Sequence, residues 1–268
     1  MKKLLLAFQF LTIIPVRTGL PASNRDTAGS SAFFVVVGLL QGLLIAAAAF
    51  LSGTVFPPEL AVAIALLVLV LSNGGFHLDG LADTFDALAA KSSGNILADR
   101  EKRLSIMKGS TTGPIGVIAM MFALALKYLA LKNISNLSHF TYYSSLILMP
   151  VLPKWTMVIS MYHARAARED GLGNIFINGT GAKEAAISTM ILVILLALPE
   201  ICPGNLVSIF QPLFYAALLV TLYGLCRLWV NFFDKRFGGL TGDTVGAIGE
   251  FSEIIFLFMV ILWSQLFI

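Results

Sequence analysis

The sequence predicts an all-α fold: a polytopic integral membrane helical bundle of about seven transmembrane helices, preceded by a short N-terminal interfacial or re-entrant helix. Of the 268 residues, 57% are apolar and only 12% are charged, which leaves too few polar side chains to cover a soluble domain. Apolar runs of the roughly 20 residues that a membrane helix needs recur along the chain, with short polar breaks between them. We interpret 1–268 as a single integral membrane domain.

The individual spans follow from the hydropathy along the chain. The apolar stretch at 4–14 is too short to cross about 30 Å of hydrocarbon at about 1.5 Å per residue, so we expect it to lie in the interface or to be re-entrant. The longer runs predict transmembrane helices at 31–52, 59–76, 114–131, 142–162, 185–201, 207–229 and 247–267.

The charged residues indicate how the bundle is oriented. With these spans, one membrane face carries the loops containing 1–30, 77–113, 163–184 and 230–246. Every one of the 18 Lys and Arg residues belongs to this face except Lys127, Lys132 and Lys154, so the positive-inside rule makes it cytoplasmic. We expect Lys127 and Lys132 on the outer side. Lys154 lies within a span, where a charge must face protein or water, and both structural pairing and a functional role stay open for it.

Composition also excludes some classes of function. The net charge is only +3, and the basic residues form no aromatic-interleaved stripe, so we expect no nucleic acid partner. Cys202 and Cys226 form no CxxC pair, which argues against a redox motif or a thiolate metal site. We expect both cysteines to be packing residues.

A group of aspartates follows the second predicted span. If this stretch is helical, Asp79, Asp83 and Asp86 stand at about 0°, 40° and −20° on the helical wheel, and His77 lies near 160°, as a packed or capping residue. The three carboxylates would repel one another, and 75–90 contains no Lys or Arg. A divalent cation would relieve the repulsion, and oxygen ligands suit Mg²⁺ or Mn²⁺ better than zinc. The alternative is a solvated acidic face without a ligand.

Two further polar intervals follow. The first, 100–116, combines the cations Arg100, Arg103 and Lys108 with glycines and the Ser110 hydroxyl before a predicted helix start. This combination suits phosphate, although juxtamembrane anchoring to anionic lipid explains the same residues. The second interval, 165–178, is rich in Gly and Asn and predicts a shaped loop instead of a helix.

The last polar interval leads into the final span. Asp243, Glu250 and Glu253 follow one another at spacings of seven and three residues, so they line one side of a helix near its cytoplasmic end. Ionisable residues at such a position are functional candidates. Two acidic helix ends on one face could share a site, where metal ions would polarise a phosphoryl group and its leaving oxygen.

Several of these segments together resemble one family. The chain is similar to cobalamin synthases, the adenosylcobinamide-GDP ribazoletransferases of the late vitamin B12 pathway. Of the shared motifs, HLDGLADT and GLTGDT are the most specific. Gly109 stands where the family usually has Asp, and Ala87 where it usually has Gly, whereas the other carboxylates are retained. The matching segments occur in the family's order at 8–16, 75–87, 105–116, 168–176 and 238–253.

The resemblance implies that adenosylcobinamide-GDP condenses with α-ribazole or its 5′-phosphate, releasing GMP, with Mg²⁺ as cofactor. It implies the inner (cytoplasmic) membrane of a bacterial cell, with the active site facing the cytoplasm, and it leaves open a homo-oligomer or an association with other cobalamin-pathway enzymes. On this hypothesis the catalytic residues are Asp79, Asp83, Asp86 and Asp243. The same four and Glu250 are the metal ligands. Substrate and phosphate are bound by Arg100, Arg103, Lys108, Ser110, Asp170, Asn174 and Thr241.

Three other functions compete with this interpretation. A phosphotransferase making phospholipid head groups would also align aspartates at helix ends, but its DGxxAR pattern does not fit here, because Gly80, Leu81 and Ala82 lead directly to Asp83. A transporter would use Lys154, Glu250 and Glu253 as intramembrane charges, yet we find no inverted repeat in the sequence. A structural membrane scaffold gives no reason for stacked carboxylates.

Overall fold

The computed structural model describes residues 1–16, 22–109, 111–201 and 210–267. Within these residues the chain is built from helices, and the one isolated β-bridge pairs Ala166 with Leu240. A 3₁₀ helix, Ser30–Phe33, leads directly into α3. The α-helices are α1 (Lys2–Leu11), α2 (Asn24–Gly29), α3 (Phe34–Gly53), α4 (Pro58–Ser72), α5 (Phe76–Ala89), α6 (Ile96–Met107), α7 (Pro114–Ile134), α8 (His139–His163), α9 (Gly171–Gly179), α10 (Ala182–Ile201), α11 (Phe210–Phe237) and α12 (Gly242–Phe267).

The helices confirm a polytopic membrane bundle. Five helical runs are long and apolar enough to cross a bilayer, and they contain α3, α7, α8, α11 and α12. Two bent pairs, α4 with α5 and α9 with α10, bring the number to seven if each pair is one span. These seven correspond to the seven predicted spans, and α1 is the predicted short N-terminal helix.

The second span departs from its predicted limits because the chain turns sharply. The hydropathy predicts a span over 59–76, but α4 ends at Ser72 and α5 begins after a bend of 84°. Gly74 and Gly75 form this bend with φ values of 66° and 74°, a left-handed conformation that glycine adopts without steric cost. As a result α5 does not continue along α4 and lies across neighbouring helices.

The predicted loop at 165–178 is wrong over its second half, where the chain forms α9. Phe176 and Ile177 of this helix are buried against the bundle. The Gly and Asn content lowers helix propensity, but burial of an apolar face overrides so weak a preference. This short helix packs beside the start of α12 and contributes to the site described below.

Helix α8 forms the centre of the bundle. It packs against α3, α10, α11 and α12, and 83% of its membrane window is buried, compared with 28% for α7. Gly38 and Gly42 let α3 approach it closely: a Cβ atom would lie 2.6 Å from the carbonyl oxygen of Pro150 at the first position and 2.2 Å from that of Ile147 at the second. This spacing of small residues is typical of tight helix packing in membranes.

We expect Gly42→Ala to destabilise the bundle, because the new methyl group would overlap the backbone of α8. Overpacking of this kind costs about 1–3 kcal/mol, so the thermal unfolding midpoint of the detergent-purified protein should fall. Gly53→Ala is the matched control in the same helix, since the nearest atom to its Cβ is 4.0 Å away. Equal midpoints for the two variants would contradict this packing.

Candidate functional site

The site is organised by the crossing of α5 over the first turns of α12. A Cβ atom on Gly80 would lie 2.7 Å from the carbonyl oxygen and 2.9 Å from the Cα of Asp243, so the two backbones are in direct contact. One helical turn away, Gly246 has its Cβ position 3.3 Å from the Cα of His77. This crossing brings the acidic face of α5 to the N-terminus of α12.

Three carboxylates therefore meet at this crossing. Asp79 is exposed, whereas Asp83 and Asp243 are half-buried, and the three are close enough to repel one another electrostatically. The predicted acidic stripe is confirmed as helical, since Asp79 and Asp83 lie on α5. The N-terminal end of α12 carries a partial positive charge that favours the Asp243 carboxylate, but it does not neutralise three acids.

Asp86 has a different environment from the other two aspartates of α5. Its carboxylate accepts hydrogen bonds from the backbone N–H groups of Gly113, at 2.6 Å, and Gly116, at 2.8 Å. Cβ atoms at these two glycines would lie 2.6 Å and 2.4 Å from the carboxylate oxygens. Asp86 thus caps the N-terminus of α7, and only its remaining lone pairs are free for a ligand.

Thr241 positions the start of α12. Its hydroxyl accepts a hydrogen bond from the Thr244 N–H at 3.2 Å, and the Thr244 hydroxyl accepts one from the Thr241 N–H at 2.8 Å, a reciprocal capping arrangement. The same Thr241 hydroxyl donates to Asp243 Oδ2 at 3.3 Å. Because Thr241 is only 3% exposed, its evident contribution is to orient Asp243, and the predicted contact with substrate stays a prediction.

The segment 163–184, predicted as a cytoplasmic segment of the catalytic site together with 77–113 and 230–246, is attached to the α11–α12 connection. Ala167 N–H donates to the Leu240 carbonyl at 2.8 Å, and Leu240 N–H donates to the Arg165 carbonyl at 2.9 Å. A Cβ on Gly239 would lie 2.5 Å from that Arg165 oxygen, so only glycine permits the approach. The arrangement brings 163–184 and 230–246 together beside α5.

Arg168 is the site residue that sequence reasoning missed. Its Nη1 lies 3.7 Å from Asp243 Oδ2, and its Nη2 donates to the Leu104 carbonyl at 2.9 Å. This guanidinium is the cation that the structure pairs with the carboxylates at the crossing. Its position inside the motif at 168–176 was a usable signal, but nothing in the sequence indicated which loop would face Asp243.

Two of the predicted phosphate ligands bind the end of α11. Arg100 donates to the Asp234 carbonyl at 3.4 Å, and Arg103 donates to the Arg236 carbonyl at 3.2 Å. Cations are favoured at a helix C-terminus, where they meet unpaired carbonyl groups and the negative end of the dipole. These contacts anchor α6 on α11, and a phosphate role for the two arginines stays a prediction.

The exposed rim of the site contains the other predicted substrate residues. Lys108 Nζ lies 3.1 Å from Asp170 Oδ2, with both side chains about two-thirds exposed. The hydrogen bond from Lys108 lowers the pKa of Asp170. An exposed ion pair of this kind contributes little to stability, so Lys108 is free to exchange its partner for a phosphate. Asn174 donates to the Glu169 carbonyl and shapes the same loop, and Ser110 lies outside the described residues.

A cavity of about 570 Å³ opens beside the crossing. Asp79, Asp243 and His77 form part of its wall, and the rest is largely apolar. Its walls come from the C-terminal part of α1, the α4–α5 bend, and residues of α3, α8, α9 and α12. The sequence does not predict the participation of α1: the family segment at 8–16 was a usable signal, but it contains no ionisable side chain.

The fit of a divalent cation depends on the donor set. In the described part of the chain, no group of three or more His, Cys, Asp or Glu side chains is arranged to hold a metal ion. Asp79, Asp83 and Asp243 nevertheless offer hard oxygen donors in mutual electrostatic contact. Mg²⁺ commonly takes only one or two carboxylates and completes its shell with water and substrate phosphate. The donor set therefore suits Mg²⁺ once a phosphorylated substrate supplies the other ligands.

Comparison with known proteins assigns the chain to a family. The family model for cobalamin-5-phosphate synthase matches residues 3–261. The chain belongs to the cobalamin-5-phosphate synthase family. The adenosylcobinamide-GDP ribazoletransferase of Geotalea daltonii is 34% identical over 255 residues, 94% of this chain and 93% of the relative. That of Thermodesulfovibrio yellowstonii is 31% identical over 266 residues, 99% and 98% of the two chains. No solved structure matches.

This member of the cobalamin-5-phosphate synthase family also has a second charged cluster, buried inside the bundle. Lys127 Nζ lies 2.5 Å from a Glu250 oxygen and is also paired with Glu253. Lys154 Nζ lies 3.4 Å from His77 Nδ1 and interacts electrostatically with both glutamates. These side chains are at most 5% exposed. Two lysines balance two glutamates, so the cluster needs no transported ion for neutrality, contrary to the transporter alternative.

The buried cluster corrects two predictions from the sequence. Lys127 does not face the outer side; it is buried near the middle of α7, because the two glutamates of α12 attract it inward. Glu250 does not join the aspartates as a metal ligand. It lies two turns along α12 from Asp243, about 10 Å at 1.5 Å per residue, and its carboxylate is taken by Lys127. For Lys154, both structural pairing and a functional role were open, and the structure shows the pairing.

We expect Lys127→Met to destabilise the protein strongly, because it leaves an excess of negative charge in the bundle. Removing one partner of a buried ion pair costs about 3–5 kcal/mol. The double variant Lys127→Met with Glu250→Gln restores the balance and should recover much of the thermal unfolding midpoint. Lys132→Met, which removes an exposed partner of Glu59, is the control and should change little. A double variant no more stable than Lys127→Met would contradict the charge-balance explanation.

Proposed function

We propose that the chain joins adenosylcobinamide-GDP to α-ribazole, or to its 5′-phosphate, and releases GMP, at the late nucleotide-loop step of cobalamin biosynthesis. The relatives that match over nearly the whole chain are named adenosylcobinamide-GDP ribazoletransferases. One structural observation supports a location for this reaction in the molecule. The Gly80–Asp243 contact assembles three carboxylates and Arg168 at the helix crossing, and two of these carboxylates, Asp79 and Asp243, line the adjoining cavity.

The reaction is a displacement at a phosphoanhydride. A hydroxyl oxygen of the ribazole ribose forms a bond to the phosphorus that carries the cobinamide. The bond from this phosphorus to the bridging oxygen breaks, and GMP leaves with that oxygen. The hydroxyl proton passes to a base. Chemistry of this type asks the protein mainly to position the reactants and to neutralise charge.

The carboxylates at the crossing fit two tasks in this reaction. Asp79 and Asp243 both reach the cavity wall, so either can accept the proton of a hydroxyl held there. Asp83 and Asp243, with Asp79, are the residues that would hold Mg²⁺. When bound, Mg²⁺ would neutralise the pyrophosphate and the developing charge on GMP. Asp86 supports this arrangement by holding the start of α7 against α5.

The basic residues around the carboxylates fit the binding of phosphate. Arg168 is one-quarter exposed beside Asp243, and Lys108 lies on the solvent-facing rim in an exchangeable ion pair. A guanidinium binds phosphate oxygens in a defined geometry, whereas an ammonium group acts as a mobile point charge. We infer that Arg168 orients the phosphoanhydride and that Lys108 attracts the GDP end of the substrate.

We infer that the protein lies in the inner membrane with this site facing the cytoplasm. The inference is supported by the positive-inside rule, because Lys108, Arg165 and Arg168 all lie at the site end of the bundle. The Lys132–Glu59 pair, at 3.4 Å, joins the ends of α7 and α4 at the opposite side. A homo-oligomer, or an association with other enzymes of the pathway, is proposed from the family resemblance alone.

We expect Asp83→Asn and Asp243→Asn each to lower GMP release by at least about a hundredfold. Each substitution removes one of the carboxylates that are proposed to accept the hydroxyl proton or to hold Mg²⁺. The assay uses purified protein with adenosylcobinamide-GDP and α-ribazole. Glu59→Gln, at the opposite end of the bundle, is the control and should keep wild-type activity. Full activity in either aspartate variant, with normal membrane insertion, would contradict this site assignment.

We expect the reaction to stop when divalent cations are removed with a chelator. Added Mg²⁺ or Mn²⁺ should restore GMP release better than Zn²⁺, since the proposed ligands are carboxylate and phosphate oxygens. Asp79→Asn should raise the Mg²⁺ concentration that gives half-maximal activity. Undiminished activity in excess chelator would show that the carboxylates serve another purpose.

A further inference from the structure

The wall of the cavity beside the crossing is divided into an acidic part and an aromatic part. Asp79 and Asp243 form the acidic part. Four phenylalanines line the cavity. Three of them, from three different helices, form the aromatic part: Phe10 on α1, Phe34 on α3 and Phe176 on α9. A single ligand in this cavity would therefore meet both an aromatic side chain and carboxylates.

The three phenylalanine rings pack against one another. The ring centroids of Phe10 and Phe176 are 4.4 Å apart, those of Phe34 and Phe176 are 5.4 Å apart, and those of Phe10 and Phe34 are 6.0 Å apart. The thioethers of Met157 and Met161 complete this part of the wall. Phe34 and Phe176 are 0% and 2% exposed, so they support the half-buried ring of Phe10 at the cavity wall. The Phe10 ring can stack on a flat aromatic ligand.

The size of the cavity distinguishes between the two substrates. About 570 Å³ lies within the range of roughly 300–1,000 Å³ that is typical of pockets for drug-sized molecules. A corrin macrocycle carrying an adenosyl group and GDP is several times larger than such a molecule. α-Ribazole, a ribose joined to a substituted benzimidazole, is of the right size, and it offers an aromatic ring to Phe10 and hydroxyl groups to the carboxylates.

We propose that this cavity is the binding site of α-ribazole, with the benzimidazole against the ring of Phe10 and the ribose directed towards Asp79 and Asp243. The proposal rests on the proposed function, and it assigns one of the two substrates, α-ribazole, to this cavity. The adenosylcobinamide-GDP then approaches from the polar rim, where Arg168 and Lys108 lie. The attacking hydroxyl and the phosphoanhydride meet at the carboxylates, between the two binding regions.

A lipid acyl chain is the other ligand that an apolar cavity in a membrane protein could take. An acyl chain has no hydroxyl groups for Asp79 and Asp243, and it gains nothing specific from a cluster of aromatic rings. The ribose of a nucleoside, in contrast, offers several hydroxyl donors to the two carboxylates. The acidic part of the wall therefore favours the nucleoside over the lipid.

The proposal can be tested with Phe10→Ala, because Phe10 is only half-buried and its loss leaves Phe34 and Phe176 in place. Alanine substitution of a ring that stacks on a base typically weakens binding by roughly fivefold to a hundredfold. We expect such a rise in the Kd of α-ribazole, measured by equilibrium dialysis with the full-length protein, and in its KM. The KM of adenosylcobinamide-GDP should stay within about twofold of the wild-type value.

A second variant and a control protect the test against a folding defect. Leu172→Trp adds bulk at a residue that lines the cavity and is 54% exposed, so it should obstruct α-ribazole without disturbing the core. Phe50→Ala, which removes a 58% exposed phenylalanine elsewhere on α3, is the matched control and should leave both KM values unchanged.

The outcomes separate this proposal from the proposed function. If the wild-type protein releases GMP but Phe10→Ala and Leu172→Trp change neither the Kd nor the KM of α-ribazole, the cavity assignment is overturned and the function stands. Phospholipid that co-purifies in the cavity and is not displaced by α-ribazole would also overturn it, in favour of a lipid site. Absence of GMP release by the wild-type protein would instead overturn the function.

Discussion

The contact between Gly80 of α5 and Asp243 of α12 is the constraint on which the site depends. The two backbones approach so closely that a single methyl group would separate them. This approach is possible because α5 leaves the direction of α4 at the glycine bend and crosses the first turns of α7 and α12. The positive ends of both helices therefore face the acidic side of α5, where Asp86 caps one helix and Asp79 and Asp83 lie beside the other.

The charged side chains of the protein occur in two contrasting arrangements. Lys127, Lys154, Glu250 and Glu253 are buried, paired and balanced inside the bundle. Such a network is costly to desolvate and is stable only when complete. At the crossing, three carboxylates lie near one another, and among the described residues the cation paired with them is the guanidinium of Arg168. The first arrangement holds helices together, and the second leaves negative charge unsatisfied, which is the condition for attracting a cation with a phosphorylated substrate.

Much of the architecture could be predicted from the sequence. The candidate spans and the short N-terminal helix follow from hydropathy alone, because a bilayer imposes helix length and polarity. The acidic stripe follows from helical spacing. The errors arose where tertiary contacts compete with local signals: α9 forms despite its glycines because its apolar face is buried, and Lys127 is drawn into the bundle by two glutamates more than a hundred residues away.

The sequence by itself determined that this is a membrane protein of the cobalamin-5-phosphate synthase family, with carboxylates at two helix ends. These properties are local or periodic, so they can be read without knowing the fold. Only the tertiary structure decided which carboxylates meet. Asp83, Asp243 and Glu250 are all acidic residues at helix ends in the sequence, and only the residues packed around them in the fold distinguish them. Glu250 forms an ion pair with Lys127, and Asp86 accepts hydrogen bonds from two glycine amides. Asp79, Asp83 and Asp243 remain at the crossing beside Arg168.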